Sequence, residues 1–260
     1  MEFFDSHAHL DDEQFSQDLP KVIDQIHEAQ VTKVISAGYS LAGSKRSIQL
    51  AKQYDFIYST CGISPNDIPQ TEEELWKMIQ EIQSLAQNNS KVIAIGEIGL
   101  DYYWEKEEER RNFQQKAFQE QIKLANTLSL PIVIHTRDAM IDTIRILQDT
   151  PVIRKGVFHC CPQNQELIRQ ALALGFYISF AGPITFKNAK NANDIIQMVP
   201  LDRLFIETDS PYLAPEPLRG TRNTPANVPY VAKKIAEVKH LSIEEVAKQT
   251  YQNVKELYRL

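Results

Sequence analysis

The residues best suited to chemistry begin at the amino terminus, where Asp5-Ser6-His7-Ala8-His9-Leu10 follows the apolar pair Phe3-Phe4. Side chains two apart on an extended segment share a face, so His7 and His9 aim two imidazoles at one point. Neutral imidazole is a common ligand for zinc and similar divalent ions, and such a pair is half of a metal site. Taken alone the pair reads equally well as a polar turn, so its meaning depends on what joins it. Downstream, Glu97, His135, His159 and Asp209 each follow a short apolar run. A single catalytic zinc usually takes three protein ligands plus water, whereas six nitrogen and oxygen donors suit two ions ~3.5–4 Å apart. His7, His9 and Asp209 are expected to hold one ion, His135 and His159 the other, with Glu97 between them. A water between two such ions ionises near neutral pH, and Asp209 beside it would take its proton as general base. Donors of this kind accept Zn, Mn, Fe, Ni or, less comfortably, Mg.

Positioning these donors requires elements that all end on one side. Apolar periodicity predicts a first strand from Phe3 that ends on His7 and His9, and further strands over 31–37, 57–61, 92–95, 131–134, 157–158, 176–180 and 204–206. Helical stripes fall between them: Leu19, Val22, Ile23 and Ile26; Leu75, Met78, Ile79, Ile82 and Leu85; and a long charged-faced helix over 106–128. Two closing helices follow, the second with Ser242 and Glu245 as a capping box. Eight strands alternating with helices predict an α/β fold of the TIM (β/α)8 barrel type, a single domain over 1–260, and no G-x-G-x-x-G follows the first strand. The six donors then sit at strand carboxyl ends, with Glu97 just past the fourth strand, and these ends converge on the rim where barrel enzymes place their chemistry. The remaining histidines, His27 and His240, fall in helices as ordinary solvent-facing residues.

A chain of 260 residues matches a barrel of ~250. The net charge of -6 argues against coating duplex nucleic acid, yet leaves room for an enzyme that draws one strand end into a pocket where metal supplies the positive charge. No apolar run approaches a membrane span and no signal-like leader opens the sequence, so a cytoplasmic protein is expected. The three cysteines, Cys61, Cys160 and Cys161, are odd in number and argue against a disulfide framework.

Five segments together carry a family likeness: Asp5-Ser6-His7-Ala8-His9-Leu10, Gly96-Glu97-Ile98-Gly99-Leu100-Asp101-Tyr102, His135-Thr136-Arg137-Asp138-Ala139, Phe158-His159-Cys160, and Glu207-Thr208-Asp209-Ser210-Pro211-Tyr212. With Arg219-Gly220-x-Arg222-Asn223 they resemble the TatD family of metal-dependent deoxyribonucleases. The resemblance implies a barrel of the amidohydrolase superfamily, a pair of divalent ions (Zn, Mg or Mn) held by the same six residues, and hydrolysis of DNA, often from a single-stranded 3′ end. Two departures stand out. Family members commonly have Gly-x-His-Pro after the third strand where this chain has Gly62-Ile63-Ser64-Pro65, and Phe-Ser-Gly after the His-Cys pair where it has Cys161-Pro162-Gln163.

Candidate phosphate contacts are Arg137, Lys187, Arg219 and Arg222, and Tyr102, Tyr103 and Trp104 lie where they could stack on a base. Asp101 and Asp138 are candidates to orient ligand histidines. Two other readings stay open: an amidohydrolase-type enzyme cleaving an ester or amide in a small molecule or aminoacyl conjugate, and a metal-holding scaffold without turnover. Many amidohydrolases bridge their metals with a carboxylated lysine, and the fourth strand here offers Glu97 and no lysine.

Overall fold

The computed structural model describes residues 1–260. Its strands and helices alternate in the order β1 (Phe3–Ala8), α1 (Leu19–Glu28), β2 (Val31–Ser36), α2 (Leu41–Gln53), β3 (Ile57–Cys61), α3 (Glu72–Gln87), β4 (Val92–Asp101), α4 (Glu108–Leu128) and β5 (Ile132–Arg137). There follow α5 (Met140–Asp149), β6 (Gly156–Phe158), α6 (Gln165–Ala173), β7 (Tyr177–Phe180), α7 (Ala192–Met198), β8 (Leu204–Ile206), α8 (Val228–Lys239) and α9 (Ile243–Tyr258). The strands pair in parallel in the order β1 to β8, so the expected TIM barrel is what forms.

Period-two alternation sorts each strand into two cores. Phe4, Ile35, Ile93 with Ala94, Val133, Val157, Tyr177 and Phe205, from seven of the strands, form the inner cluster, and Val254, Leu257 and Tyr258 of α9 close it from below. Their strand neighbours, such as Phe3, Val34, Ile132, Phe158 and Ile206, face the helices in a larger cluster of 57 buried residues. Helix starts are fixed locally: Thr71 with Glu74 and Ser242 with Glu245 make reciprocal capping boxes for α3 and α9.

The seam between β8 and β1 is closed by a few bonds near the rim. Asp209 N–H donates to His7 O at 2.9 Å and His9 N–H to Ser210 O at 2.7 Å. Below them the buried Asp5 carboxylate accepts from Thr208 N at 3.0 Å and Thr208 Oγ1 at 2.5 Å, and Ser6 Oγ donates to Ile206 O at 2.9 Å.

Several boundaries differ from the sequence expectation. β4 does not stop at 95 but runs through Asp101, so Glu97 lies inside the strand rather than past it. The strand persists because Ile98 and Leu100 are fully buried in the outer core while Glu97 and Asp101 alternate with them. Likewise β5 runs to Arg137 and contains His135, β2 ends at Ser36, and α4 starts at Glu108. His240 is the cap residue after α8, with φ of 55°, and His27 lies in α1; both are exposed.

Candidate metal centre

Strand ends bring all six expected donors into one buried cluster at the carboxyl rim. His7 and His9 reach it from the end of β1 and just after, Glu97 from β4, His135 from β5, His159 from the residue after β6, and Asp209 from the turn after β8. Glu97 faces two ways. Its Oε2 lies 3.4 Å from His7 Nε2 and 3.7 Å from His9 Nε2, while Oε1 lies 3.0 Å from His135 Nδ1 and 3.4 Å from His159 Nε2. Asp209 Oδ1 closes the first group, 3.3 Å from His9 Nε2 and 3.6 Å from His7 Nε2. Within each half the imidazole nitrogens approach one another, His7 to His9 at 3.4 Å and His135 to His159 at 3.3 Å.

This donor set fits divalent cations. Four imidazoles converge on two carboxylates with no lysine or arginine among them, so nitrogen and oxygen atoms able to ligate a metal face one another across a small space. Ligand atoms ~2.1 Å from an ion at tetrahedral angles stand ~3.4 Å apart, and the separations here run from 3.0 to 3.7 Å. His7, His9, Glu97 and Asp209 would hold one ion and His135, His159 and Glu97 a second.

Electrostatics follow from burial and crowding. Burial pushes the Glu97 carboxyl up, but His159, His135 and His7 outweigh it and hold the group well below the usual carboxylate range. Asp209 is lowered in the same way, by His9 first, against its burial. Burial lowers His9 while Asp209 and Glu97 raise it, and the balance leaves it at about 9. His159 and His135 are raised against burial, His159 chiefly by Glu97 and Glu207, His135 by Asp101 and Glu97; His7, the most enclosed, is lowered by burial and by His159.

A second layer of side chains holds the imidazoles. Asp101 Oδ2 meets His135 Nε2 at 3.0 Å, which fixes that ring with Nδ1 toward Glu97. The other Asp101 oxygen accepts from the backbone N–H groups of Tyr103 and Trp104. Asp138, by contrast, is exposed, sits at φ of 54° and touches no ligand histidine. Glu207 escaped the sequence reading: fully buried, it accepts from Cys160 N at 2.6 Å and stands 3.5 Å from His159 Nδ1. The signal available was parity, since Glu207 falls two residues after the inward-facing Phe205. Asp5, likewise unforeseen, accepts from His7 N at 3.2 Å as well as from Thr208, and its burial pushes the carboxyl up. Gly99 has a steric reason to be glycine: at φ of 144° an added Cβ would lie 1.9 Å from His135 O. Ser64, at the position of the family's histidine, turns its hydroxyl to Asp67 at 2.7 Å.

The expected phosphate contacts divide. Arg137, Lys187 and Arg219 are exposed and form no ion pair, although Arg219 lies over the Phe186 ring at 4.1 Å. Arg222 is committed elsewhere: two bonds to Asp18, at 2.9 and 2.6 Å, and one to Gln14 O make it a clamp on the β1–α1 loop. Tyr102 is also committed, its hydroxyl donating to Asp142 at 2.8 Å and accepting from Gln115 at 2.8 Å, so it packs the loop and offers no face to a base. A cavity of about 420 Å³, lined by Tyr102, Thr136, Met140, Ile141 and Leu167, lies beside the centre rather than over it. Cys61, Cys160 and Cys161 are all free thiols.

A parallel barrel with this rim of histidines and carboxylates is that of a metal-dependent hydrolase. Residues 4–259 match the family model described as TatD related DNase. YabD from Bacillus subtilis, an uncharacterized metal-dependent hydrolase, is 42% identical over 99% of both chains. YcfH from Escherichia coli K12, described in the same words, is 38% identical over 98% of this chain and 95% of its own. Among solved structures, the E. coli TatD homologue YjjV superposes with a TM-score of 0.92 at 27% identity, covering 99% of this chain and 98% of its own. This chain belongs to the TatD family. No helix is long and apolar enough to cross a membrane.

Proposed function

We propose that the protein is a two-metal phosphodiesterase acting on DNA, removing nucleotides from the 3′ end of single strands, in the cytoplasm. The observation that carries the two-metal part is Glu97, whose two oxygens face two separate histidine pairs as a bridging carboxylate would. Its depressed pKa keeps it anionic and able to bridge throughout the physiological range. Bound there, two divalent cations, Zn, Mg or Mn, would polarise a phosphoryl oxygen and bring the pKa of a water toward neutrality.

The chain's own residues supply the rest. Asp209, ionised and only 14% exposed, has one oxygen on the histidine pair and takes the proton of the attacking water as general base. His7, His9, His135 and His159 serve as neutral nitrogen donors, with Asp101 accepting behind His135 and the Glu207 carboxylate 3.5 Å behind His159 Nδ1. Arg137 at the end of β5, with Lys187 and Arg219 on the loops after β7 and β8, all free of carboxylate partners, orient the phosphates of a strand. The choice of DNA rests on the family match.

The test is release of nucleotides from an end-labelled single-stranded oligonucleotide by metal-stripped protein, with Mg, Mn or Zn restored and Asp209→Asn beside it. Metal-dependent shortening that the mutant loses supports the reading, and the ladder gives its direction. Absence of cleavage with every metal, or equal cleavage by the mutant, overturns it and moves the search to small-molecule esters and amides.

A further inference from the structure

Trp104 is 66% exposed and its neighbour Tyr103 is 42% exposed, the former the most open aromatic side chain of the molecule. An indole left in water forgoes the gain of burying its apolar surface, so a ring held there invites an occupant. It is held rather than loose. Asp101 Oδ1 accepts from Tyr103 N–H at 3.0 Å and Trp104 N–H at 3.1 Å, while Asp101 Oδ2 bonds the ligand His135 at 3.0 Å. One carboxylate thus ties the aromatic pair to the metal centre.

Charge beside the pair narrows the occupant. The Arg137 guanidinium lies 3.7 Å from the Tyr103 ring centroid and 5.7 Å from that of Trp104, without a carboxylate partner, and Lys106 Nζ lies 5.5 Å from the Tyr103 ring. Tyr103 and Trp104 meet edge to face, centroids 4.8 Å apart and planes at 87°. Arg137 covers Tyr103, which leaves the Trp104 indole as the uncovered π face, next to a cation. An apolar planar group attached to an anion fits both features, and an unpaired nucleotide is such a group.

We infer that Trp104, backed by Tyr103 and Arg137, is the platform on which the enzyme stacks an unpaired nucleobase flanking the scissile phosphate, with Arg137 directed at the adjoining phosphate. This deepens the nuclease reading and rests on it for the substrate, but it makes a separate claim. Bases inside a duplex are already stacked, so the platform would select single-stranded ends whatever the sequence.

The experiment uses the zinc-loaded full chain carrying Trp76→Phe, which leaves Trp104 as the sole tryptophan of the two. Titration with a phosphorothioate-linked oligothymidylate should quench its fluorescence, while a blunt duplex of the same length, or an oligomer abasic at its terminal nucleotides, should not. In the parent chain Trp104→Ala should weaken binding of the oligothymidylate about tenfold, with Trp104→Phe restoring most of it and metal content unchanged in both. Absence of quenching, equal quenching by the abasic strand, or unchanged binding in Trp104→Ala overturns the platform. Quenching without hydrolysis of a phosphodiester strand would instead sink the nuclease reading and leave the platform standing. Hydrolysis that Trp104→Ala leaves untouched would do the reverse.

Discussion

Glu207 sits one inward-facing position above Phe205, fully buried, with one oxygen on Cys160 N–H and near His159 and the other without a protein partner. A carboxylate behind a ligand imidazole fixes its orientation and raises its basicity, and losing such a partner typically costs ~10–100-fold in metal affinity. Glu207→Gln keeps an acceptor for Cys160 and removes the charge. Under the proposed two-metal reading, chelator competition should therefore show weaker binding of one ion, by about that factor, while the other ion's affinity holds; affinities unchanged from the parent would show that Glu207 does not act through His159. The clustering of the six candidate donors was legible because histidine and carboxylate are scarce at the ends of apolar strands. Their supports were not legible, because each is defined by a partner far away in the chain: Asp5 meets Thr208 across 203 residues, Ser6 meets Ile206 across 200. Arg222 shows the converse, since nothing near it in sequence reveals the ion pair with Asp18, 204 residues away.

β4 is the element on which the centre depends most, since it carries Glu97, Gly99 and Asp101. Apolar content alone ends it at 95, because Gly96, Glu97 and Gly99 read as a loop. The alternation of Ile98 and Leu100 with Glu97 and Asp101 was present in the sequence, but its polar positions face a site instead of solvent or core. Gly99→Ala tests the close packing of β4 on β5: a Cβ that meets His135 O must displace the strand carrying that ligand. We expect a stability loss on the order of 3 kcal/mol and lower affinity for the ion at His135, measured by denaturant unfolding and metal titration. Unchanged stability would mean the two strands yield more freely than their spacing suggests. Helices were read more fully, because stripe and capping box are local signals, as Ser242 with Glu245 shows.

At the scale of the whole molecule, the barrel gathers charges whose balance depends on metal. In the metal-free protein, His9 has a folded pKa of about 9 against its ordinary value of ~6.5. A raised folded pKa contributes stability that is complete below ~6.5 and is lost as pH rises toward 9. Glu97 and Asp209, both lowered, contribute stability above the ordinary carboxylate range and lose it as pH falls below that range. The Tm of stripped protein should thus fall between pH 6.5 and 9, whereas the increment in Tm given by added metal should grow, because ligand imidazoles must be neutral. A flat stripped-protein profile over that window would remove the charge balance assigned to the cluster. The most direct test of the account is the metal stoichiometry of the parent chain and of Glu97→Gln, read by calorimetric titration of stripped protein. A Glu97 that joins two histidine pairs predicts two equivalents per chain, with both affinities weakened together in the mutant. One equivalent in the parent, or two undiminished equivalents in Glu97→Gln, would contradict it.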